Sequence, residues 1–142
     1  MKALKVSILS LLILLTASSA FAGSWGAGVA LFDGDYFGIH GRKTWELGGD
    51  ISQITTGATI FFDPEFLTLD VDYHFVINPE NPSRFYPLVG LQLATDFDWT
   101  EFGVNAGGGV DFKLTQTLDA FFELKYVISD FDGFNFALGV KF

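Results

Sequence analysis

Beyond residue 22 the chain alternates apolar and polar residues in almost every segment, and this period of two is typical of β-strands with two different faces. The final segment is the clearest, since every second residue is apolar in Phe134, Phe136, Leu138, Val140 and Phe142. Seven similar segments precede it: Ser24 to Phe32, Tyr36 to Leu47, Ile51 to Phe62, Leu67 to Ile77, Arg84 to Thr95, Glu101 to Leu114 and Leu118 to Ser129. No helical period of 3.6 residues interrupts them. The sequence therefore predicts eight strands.

A pair of acidic residues among aromatic residues recurs four times between these strands, with its first member at Asp33, Asp63, Asp96 and Asp130. The intervals are 30, 33 and 34 residues, which is the length of one hairpin with its connections. Turn-forming residues separate the remaining strands, at Gly48, Gly49, Asn78, Pro79, Asn81 and Pro82. In an up-and-down meander all four acidic connections therefore share one end.

The first 22 residues are predicted to be a secretory signal peptide and not part of the fold. Lys2 and Lys5 precede a short apolar stretch, and Ala20, Phe21 and Ala22 form a small-x-small cleavage site before Gly23. A membrane-spanning helix needs about 20 apolar residues, which this stretch lacks. The expected domains are a signal peptide at 1–22 and one barrel domain at 23–142.

Composition excludes several classes of function. Beyond residue 22 only six Lys and Arg residues stand against 17 Asp and Glu residues, so the net charge of that part is −11. Such a balance argues against nucleic acid as a partner and against a basic lipid-binding patch. The chain has no cysteine, which excludes a disulfide framework, a thiol nucleophile and a lipoprotein anchor.

Eight antiparallel strands suit a small closed barrel, but alternation alone does not show whether the apolar face lies inside or outside. An apolar interior would make a soluble, lipocalin-like periplasmic barrel that binds a hydrophobic ligand, whereas an apolar exterior would make a transmembrane barrel. The second is favoured because the polar face carries charges of both signs, and strands of about ten residues cross a bilayer when tilted. The expected interior network is His40, Arg42, Glu46, Asp70, Asp72, His74, Asp111, Lys113, Glu123, Lys125 and Lys141.

Aromatic residues near the strand ends agree with this orientation. One rim would hold Trp25, Trp45, Phe112 and Phe142, and the other would hold Phe37, Phe62, Phe102 and Phe134. Two such rims correspond to the aromatic girdles of outer-membrane barrels.

The last 41 residues, FGVNAGGGVDFKLTQTLDAFFELKYVISDFDGFNFALGVKF (Phe102 to Phe142), resemble the last three strands of the small OmpA/OmpX-like outer-membrane β-barrel proteins. The resemblance implies a barrel in the outer membrane of a Gram-negative bacterium, in contact with outer-membrane lipid and lipopolysaccharide. It also implies that the barrel-assembly machinery reads the alternating residues Phe136, Leu138, Val140 and Phe142. The chain departs from this family in its very short connections at the acidic end.

With the N-terminus in the periplasm, the acidic pairs would face the cell exterior. One interpretation is a weak ring for divalent cations, since Ca²⁺ and Mg²⁺ prefer oxygen ligands; the other is that Asp and Gly form turns there. The ring would comprise Asp33, Asp35, Asp63, Glu65, Asp96, Asp98, Asp130 and Asp132.

No catalytic residue and no cofactor is predicted. His40 and His74 fall on the polar face, but Ser24, Ser52, Ser83 and Ser129 lie in no recognisable nucleophile motif. We therefore expect a structural or surface-interaction protein; a lipid A acyltransferase or deacylase of the outer membrane is the enzymatic alternative.

Overall fold

The computed structural model describes residues 23–47, 51–62, 64–130 and 132–142. The predicted signal peptide lies outside these residues. Within them the strands are β1 (Gly23–Phe32), β2 (Tyr36–Glu46), β3 (Ser52–Phe62), β4 (Phe66–Phe75), β5 (Ser83–Thr95), β6 (Thr100–Lys113), β7 (Asp119–Ile128) and β8 (Gly133–Lys141). The described residues contain no helix long and apolar enough to cross a membrane.

Each strand pairs antiparallel with the next one in the chain, and β1 pairs with β8, so the sheet closes into a barrel in sequence order. Closure continues past the last strand, because Trp25 and Phe142 exchange two backbone N–H···O bonds of 3.0 and 2.7 Å. The predicted eight-stranded antiparallel up-and-down barrel is confirmed.

The apolar face of the sheet points outward and the polar face points inward, as β4 shows. Thr68, Asp70, Asp72 and His74 are buried, while the intervening Leu69, Val71, Tyr73 and Phe75 are exposed. The same alternation holds along β7, where Phe121, Glu123, Lys125 and Val127 are buried. This orientation is the opposite of the one that a soluble barrel with an apolar ligand cavity requires.

Aromatic side chains stand on the outer face near both ends of the barrel. Phe37 and Phe62 are directly opposite each other at the acidic end, and both are exposed. At the other end Phe112 and Phe142 are exposed, whereas Trp25 and Trp45 are half-buried. The two indole rings cover Lys43, whose Nζ lies 4.3 Å from the centre of the Trp25 ring and 5.3 Å from that of Trp45. Both aromatic rims predicted from the sequence are therefore present.

Candidate functional site

The barrel interior contains a hydrogen-bonded network centred on Glu123. The Arg42 guanidinium donates two hydrogen bonds to this carboxylate, of 2.8 Å to Oε2 and 3.1 Å to Oε1, and the Tyr86 hydroxyl donates a third of 2.9 Å. Arg42 Nε also donates to His40 Nε2 at 2.9 Å, and His40 Nδ1 lies 2.7 Å from Thr59 Oγ1. The bidentate geometry holds the arginine across the lumen from β2 to β7.

A second group of interior charges surrounds Lys125. Its Nζ lies 2.8 Å from Asp72 and 3.2 Å from Asp70. The Asn105 amide donates to the same two carboxylates, at 2.9 Å to Asp72 and 3.2 Å to Asp70. The amine and the amide thus hold two carboxylates that would otherwise repel each other.

Nine members of the predicted interior network are buried, and the Lys141 amine pairs with Asp111 at 2.8 Å. The prediction is wrong for Glu46 and Lys113, which are exposed. Each is the last residue of its strand, β2 and β6, at the end of the barrel away from the acidic connections. They have the inward parity but lie at the open rim, where water reaches the side chain.

Asp72, His74 and Glu123 are the one group of three possible metal ligands that the structure brings within 4.8 Å of one another among the described residues. Both carboxylates already bind a cationic side chain, Lys125 and Arg42 respectively. The His74 ring stacks on Tyr86 with centres 4.3 Å apart, and its Nε2 lies 3.7 Å from Glu123. Both carboxylates of this group are therefore already paired with cationic side chains of the fold.

The acidic connections contain tight turns. Asp33 and Gly34 have φ values of 54° and 76°, and the Asp35 N–H donates to the Phe32 carbonyl at 3.2 Å, as a type I′ turn requires. Asp and Gly tolerate this left-handed backbone better than most other residues do. Asp33 is thus explained by turn chemistry.

Asp96 has a similar local role in the β5–β6 turn. Its Oδ1 accepts hydrogen bonds from the backbone N–H groups of Asp98 and Trp99, both at 2.9 Å. These bonds hold the pKa of the Asp96 carboxyl below its ordinary value, and the bond from Trp99 contributes most. The Thr95 hydroxyl donates to the Trp99 carbonyl at 2.8 Å, so the same turn fixes both Asp96 and Trp99.

The predicted cation ring stays a prediction. Asp63 lies outside the described residues, and Asp132 accepts a hydrogen bond of 3.0 Å from the Tyr126 hydroxyl. Asp96 is half-buried, and the other ring members in the described part of the chain are exposed: Asp33, Asp35, Glu65, Asp98, Asp130 and Asp132. The predicted assembly signal is likewise untested; Phe136, Leu138 and Phe142 are exposed on the outer face and Val140 is half-buried.

Aromatic side chains fill the mouth of the barrel at the acidic end. Phe32, Phe61 and Phe66 are buried there, with Tyr36 and Trp99 packed against them. Phe61 and Phe66 stack with ring centres 4.6 Å apart, and Tyr36 meets Phe66 edge to face at 5.7 Å.

The outer side of this aromatic cluster forms a cleft of about 270 Å³. Its walls are three aromatic side chains, one proline and two carboxylates: Tyr36, Phe66, Trp99, Pro64, Glu65 and Asp96. The sequence shows that aromatic residues flank the acidic pairs, but it does not predict the cleft. The available signal was the inward parity of aromatic residues beside three of the acidic connections.

No family model and no curated protein sequence matches the chain. Solved structures do match. The N-terminal β-barrel domain of Pseudomonas aeruginosa OprF superposes with a TM-score of 0.70 at 18% identity, covering 84% of this chain and 95% of that one. Yersinia pestis outer membrane protein Ail matches with a TM-score of 0.61 at 14% identity, covering 84% and 97%.

The outer membrane enzyme PagL matches less closely, with a TM-score of 0.54 at 9% identity over 83% of this chain and 96% of that one. The fold of the chain is therefore that of the small eight-stranded outer-membrane barrels. Among these matches PagL is an enzyme, and a shared fold does not by itself decide the activity of this chain.

Proposed function

We propose that this chain is a small integral outer-membrane β-barrel with a structural or surface-interaction role. The observation that carries the proposal is the direction of its faces: apolar side chains cover the outside, and charged side chains fill the inside. In water this outer surface would be an apolar patch far larger than soluble monomers tolerate. In lipid it is the surface that a transmembrane barrel needs.

The first experiment asks whether the barrel is in the outer membrane. Full-length chain is expressed, outer membranes are isolated, and gel migration is compared before and after boiling. Recovery in the outer membrane with a folded band that shifts on boiling supports the proposal. Recovery in the soluble periplasm without detergent would overturn it.

A substitution on the outer face sharpens this test. Val71 is 52% exposed near the middle of β4, so Val71→Lys places a charge where the proposal puts the hydrocarbon layer. It should lower the free energy of unfolding in lipid vesicles by about 2–4 kcal/mol. The matched control is Gln116→Lys in the exposed β6–β7 connection, which adds the same charge outside the layer and should change stability little.

We also propose that the lumen does not conduct. Tyr86 and Phe121 are buried in the interior together with the Arg42 and Lys125 side chains, and eight strands enclose room for little else. The purified barrel should give no stable single-channel steps in planar bilayers. Regular conductance steps that persist in several preparations would contradict a filled lumen.

The acidic connections are proposed to face the cell exterior. The chain contains no cysteine, so a single introduced thiol reports one position without interference. In intact cells a membrane-impermeant maleimide should label Asp98→Cys at the acidic end and should not label Gln116→Cys at the other end. The reverse pattern would place the acidic end in the periplasm.

A lipid A-modifying enzyme is the second candidate, because the outer membrane enzyme PagL shares this fold. The interior contacts argue against it: His40 binds Thr59 and Arg42, and His74 stacks on Tyr86. Mass analysis of lipid A from a strain lacking the chain tests the candidate directly. Unchanged lipid A supports a non-enzymatic role, and loss of one acyl-chain modification would favour the enzyme.

A further inference from the structure

The cleft at the acidic end is lined by aromatic rings and by carboxylates, and both of these groups attract the same class of ligand. Tyr36, Phe66 and Trp99 present aromatic rings, and Glu65 and Asp96 present carboxylates. Aromatic faces attract cations through the ring quadrupole, and carboxylates attract them by charge and by hydrogen bonding. An organic ammonium or guanidinium group satisfies both kinds of wall at once.

The charge distribution along the barrel favours the same ligand. All six Lys and Arg residues beyond residue 22 lie away from the acidic end, in the interior or toward the opposite rim: Arg42, Lys43, Arg84, Lys113, Lys125 and Lys141. The acidic end therefore carries a strong excess of negative charge. Its summed field attracts a partner with several positive charges.

The cleft is also held in shape before any ligand arrives. Asp96 Oδ1 accepts from the backbone N–H of Trp99, and Asp96 N–H donates to the Trp99 carbonyl at 3.4 Å, which fixes the carboxylate relative to the Trp99 backbone. The backbone N–H of Asp98 binds the same oxygen, so the carboxylate is held by two donors of its own turn. Binding consequently costs little ordering of this wall.

The size of the cleft limits what it can hold. A volume of about 270 Å³ lies below the range of about 300–1,000 Å³ typical of sites for drug-sized ligands. One lysine or arginine side chain fits this description better than a whole small molecule does. A bare divalent cation would prefer several oxygen ligands and would gain nothing from the rings.

We propose that this cleft binds a lysine or arginine side chain of a cationic peptide, while the summed negative field of the acidic end attracts the rest of the peptide without fixed contacts. The inference deepens the proposed surface-interaction role, although binding itself needs only the folded barrel. It is therefore tested on purified full-length barrel in uncharged detergent, where a result is independent of cellular location.

The probe is a fluorescein-labelled peptide of alternating glycine and arginine with three arginines, and anisotropy reports binding. The matched peptide carries citrulline, which keeps the shape of arginine and removes its charge. Glu65→Gln with Asp96→Asn neutralises the cleft, and the Asn side chain can keep the acceptor for the Asp98 and Trp99 N–H groups. Asp33→Asn with Asp130→Asn removes the same charge at the same end but outside the cleft.

The cleft variant should weaken binding of the arginine peptide at least tenfold, and the control variant less than threefold. Trp99→Leu should also weaken it at least fivefold without changing the net charge. Each variant must show the heat-shifted folded band, and Phe66→Leu is the second aromatic variant if Trp99→Leu does not fold. The citrulline peptide should not bind.

Equal losses in the cleft and control variants, with no effect of the aromatic substitutions, would show that diffuse charge alone binds the peptide and would overturn the cleft. Absence of arginine-peptide binding to a folded barrel would also overturn it. If ethylguanidinium displaces the peptide and binds the barrel with equal affinity, the ligand is a small organic cation and the peptide part of the proposal is wrong. None of these results alters the outcome of the membrane fractionation.

Discussion

Both the interior and the acidic end of this barrel contain carboxylates, but those of the interior are buried and paired, whereas most of those at the acidic end are exposed to solvent. In the interior, Glu123 is 1% exposed and binds Arg42 and Tyr86, so its charge is neutralised within the fold. At the acidic end Asp98 and Asp130 are exposed to solvent. The first carboxylate is part of the interior packing, whereas the others contribute to the negative field at the acidic end. Substitutions in the two regions should therefore have different consequences.

The largest expected effect comes from removing the cationic partner of the buried Glu123 carboxylate. Arg42→Met removes both hydrogen bonds from the guanidinium and its stacking over Phe121, where the guanidinium carbon lies 4.0 Å from the ring centre. The free energy of unfolding in lipid vesicles, measured by urea titration, should fall by about 3–5 kcal/mol because a buried charge loses its partner.

The double variant Arg42→Met with Glu123→Gln is the control for this prediction. Removing the stranded charge should recover most of the lost stability, since a pair of neutral side chains has no ionic desolvation cost. An equal loss in the single and double variants would mean that packing, and not charge, explains the effect.

A matched pair of aspartates compares the two regions directly. Asp111→Asn leaves the buried Lys141 amine without its carboxylate partner, and the free energy of unfolding should fall by about 1–3 kcal/mol. Asp98→Asn makes the same chemical change at an exposed position and should stay within about 0.5 kcal/mol of the parent. Similar losses at both positions would remove the distinction between the two regions.

The alternation of apolar and polar residues determines how much of each region the sequence predicts. A period of two assigns side chains to faces, so Asp70, Asp72 and Lys125 could be placed together inside the barrel. It carries no information about depth along the barrel, and it therefore predicts an interior position for Glu46 and Lys113, which lie at the rim. The partner of Arg42 is 81 residues away across the lumen, and only the closed register brings Glu123 to it.

The cleft could not be predicted for a related reason. Tyr36 begins β2, Phe66 begins β4 and Trp99 lies between β5 and β6, so no local pattern connects the three rings. Their meeting depends on the curvature and stagger of the closed barrel. The sequence did indicate that aromatic and acidic residues occur together at this end, but it did not indicate which of them converge.

Packing at one glycine tests how rigid the interior is. A Cβ atom on Gly109 would collide with the ring and hydroxyl of Tyr86, which binds Glu123 and stacks on His74. Gly109→Ala should therefore lower the free energy of unfolding by about 1–2 kcal/mol through overpacking.

Gly41→Ala is the matched control, because its Cβ would lie no closer than 4.0 Å to the atoms around it. It should leave stability nearly unchanged in the same urea titration. If both alanine variants are neutral, Tyr86 moves freely and the interior network is less tightly packed than its contacts indicate.

The smallest expected effect is at Asp96. Its carboxylate lies at the acidic end but accepts backbone hydrogen bonds within the β5–β6 turn. Two backbone N–H groups favour its ionised form, that of Trp99 most strongly, so its pKa in the folded barrel lies below the ordinary value of about 3.9. A carboxyl with a lowered pKa stabilises the folded turn above the unfolded pKa, and this contribution is lost as the pH falls through the folded pKa. The carbon resonance of the Asp96 carboxyl should therefore titrate at a lower pH in the barrel than in a free peptide covering residues 93–102. A midpoint equal to or above that of the peptide would show that the turn does not hold the carboxylate, and Asp96 would then resemble the solvated carboxylates around it.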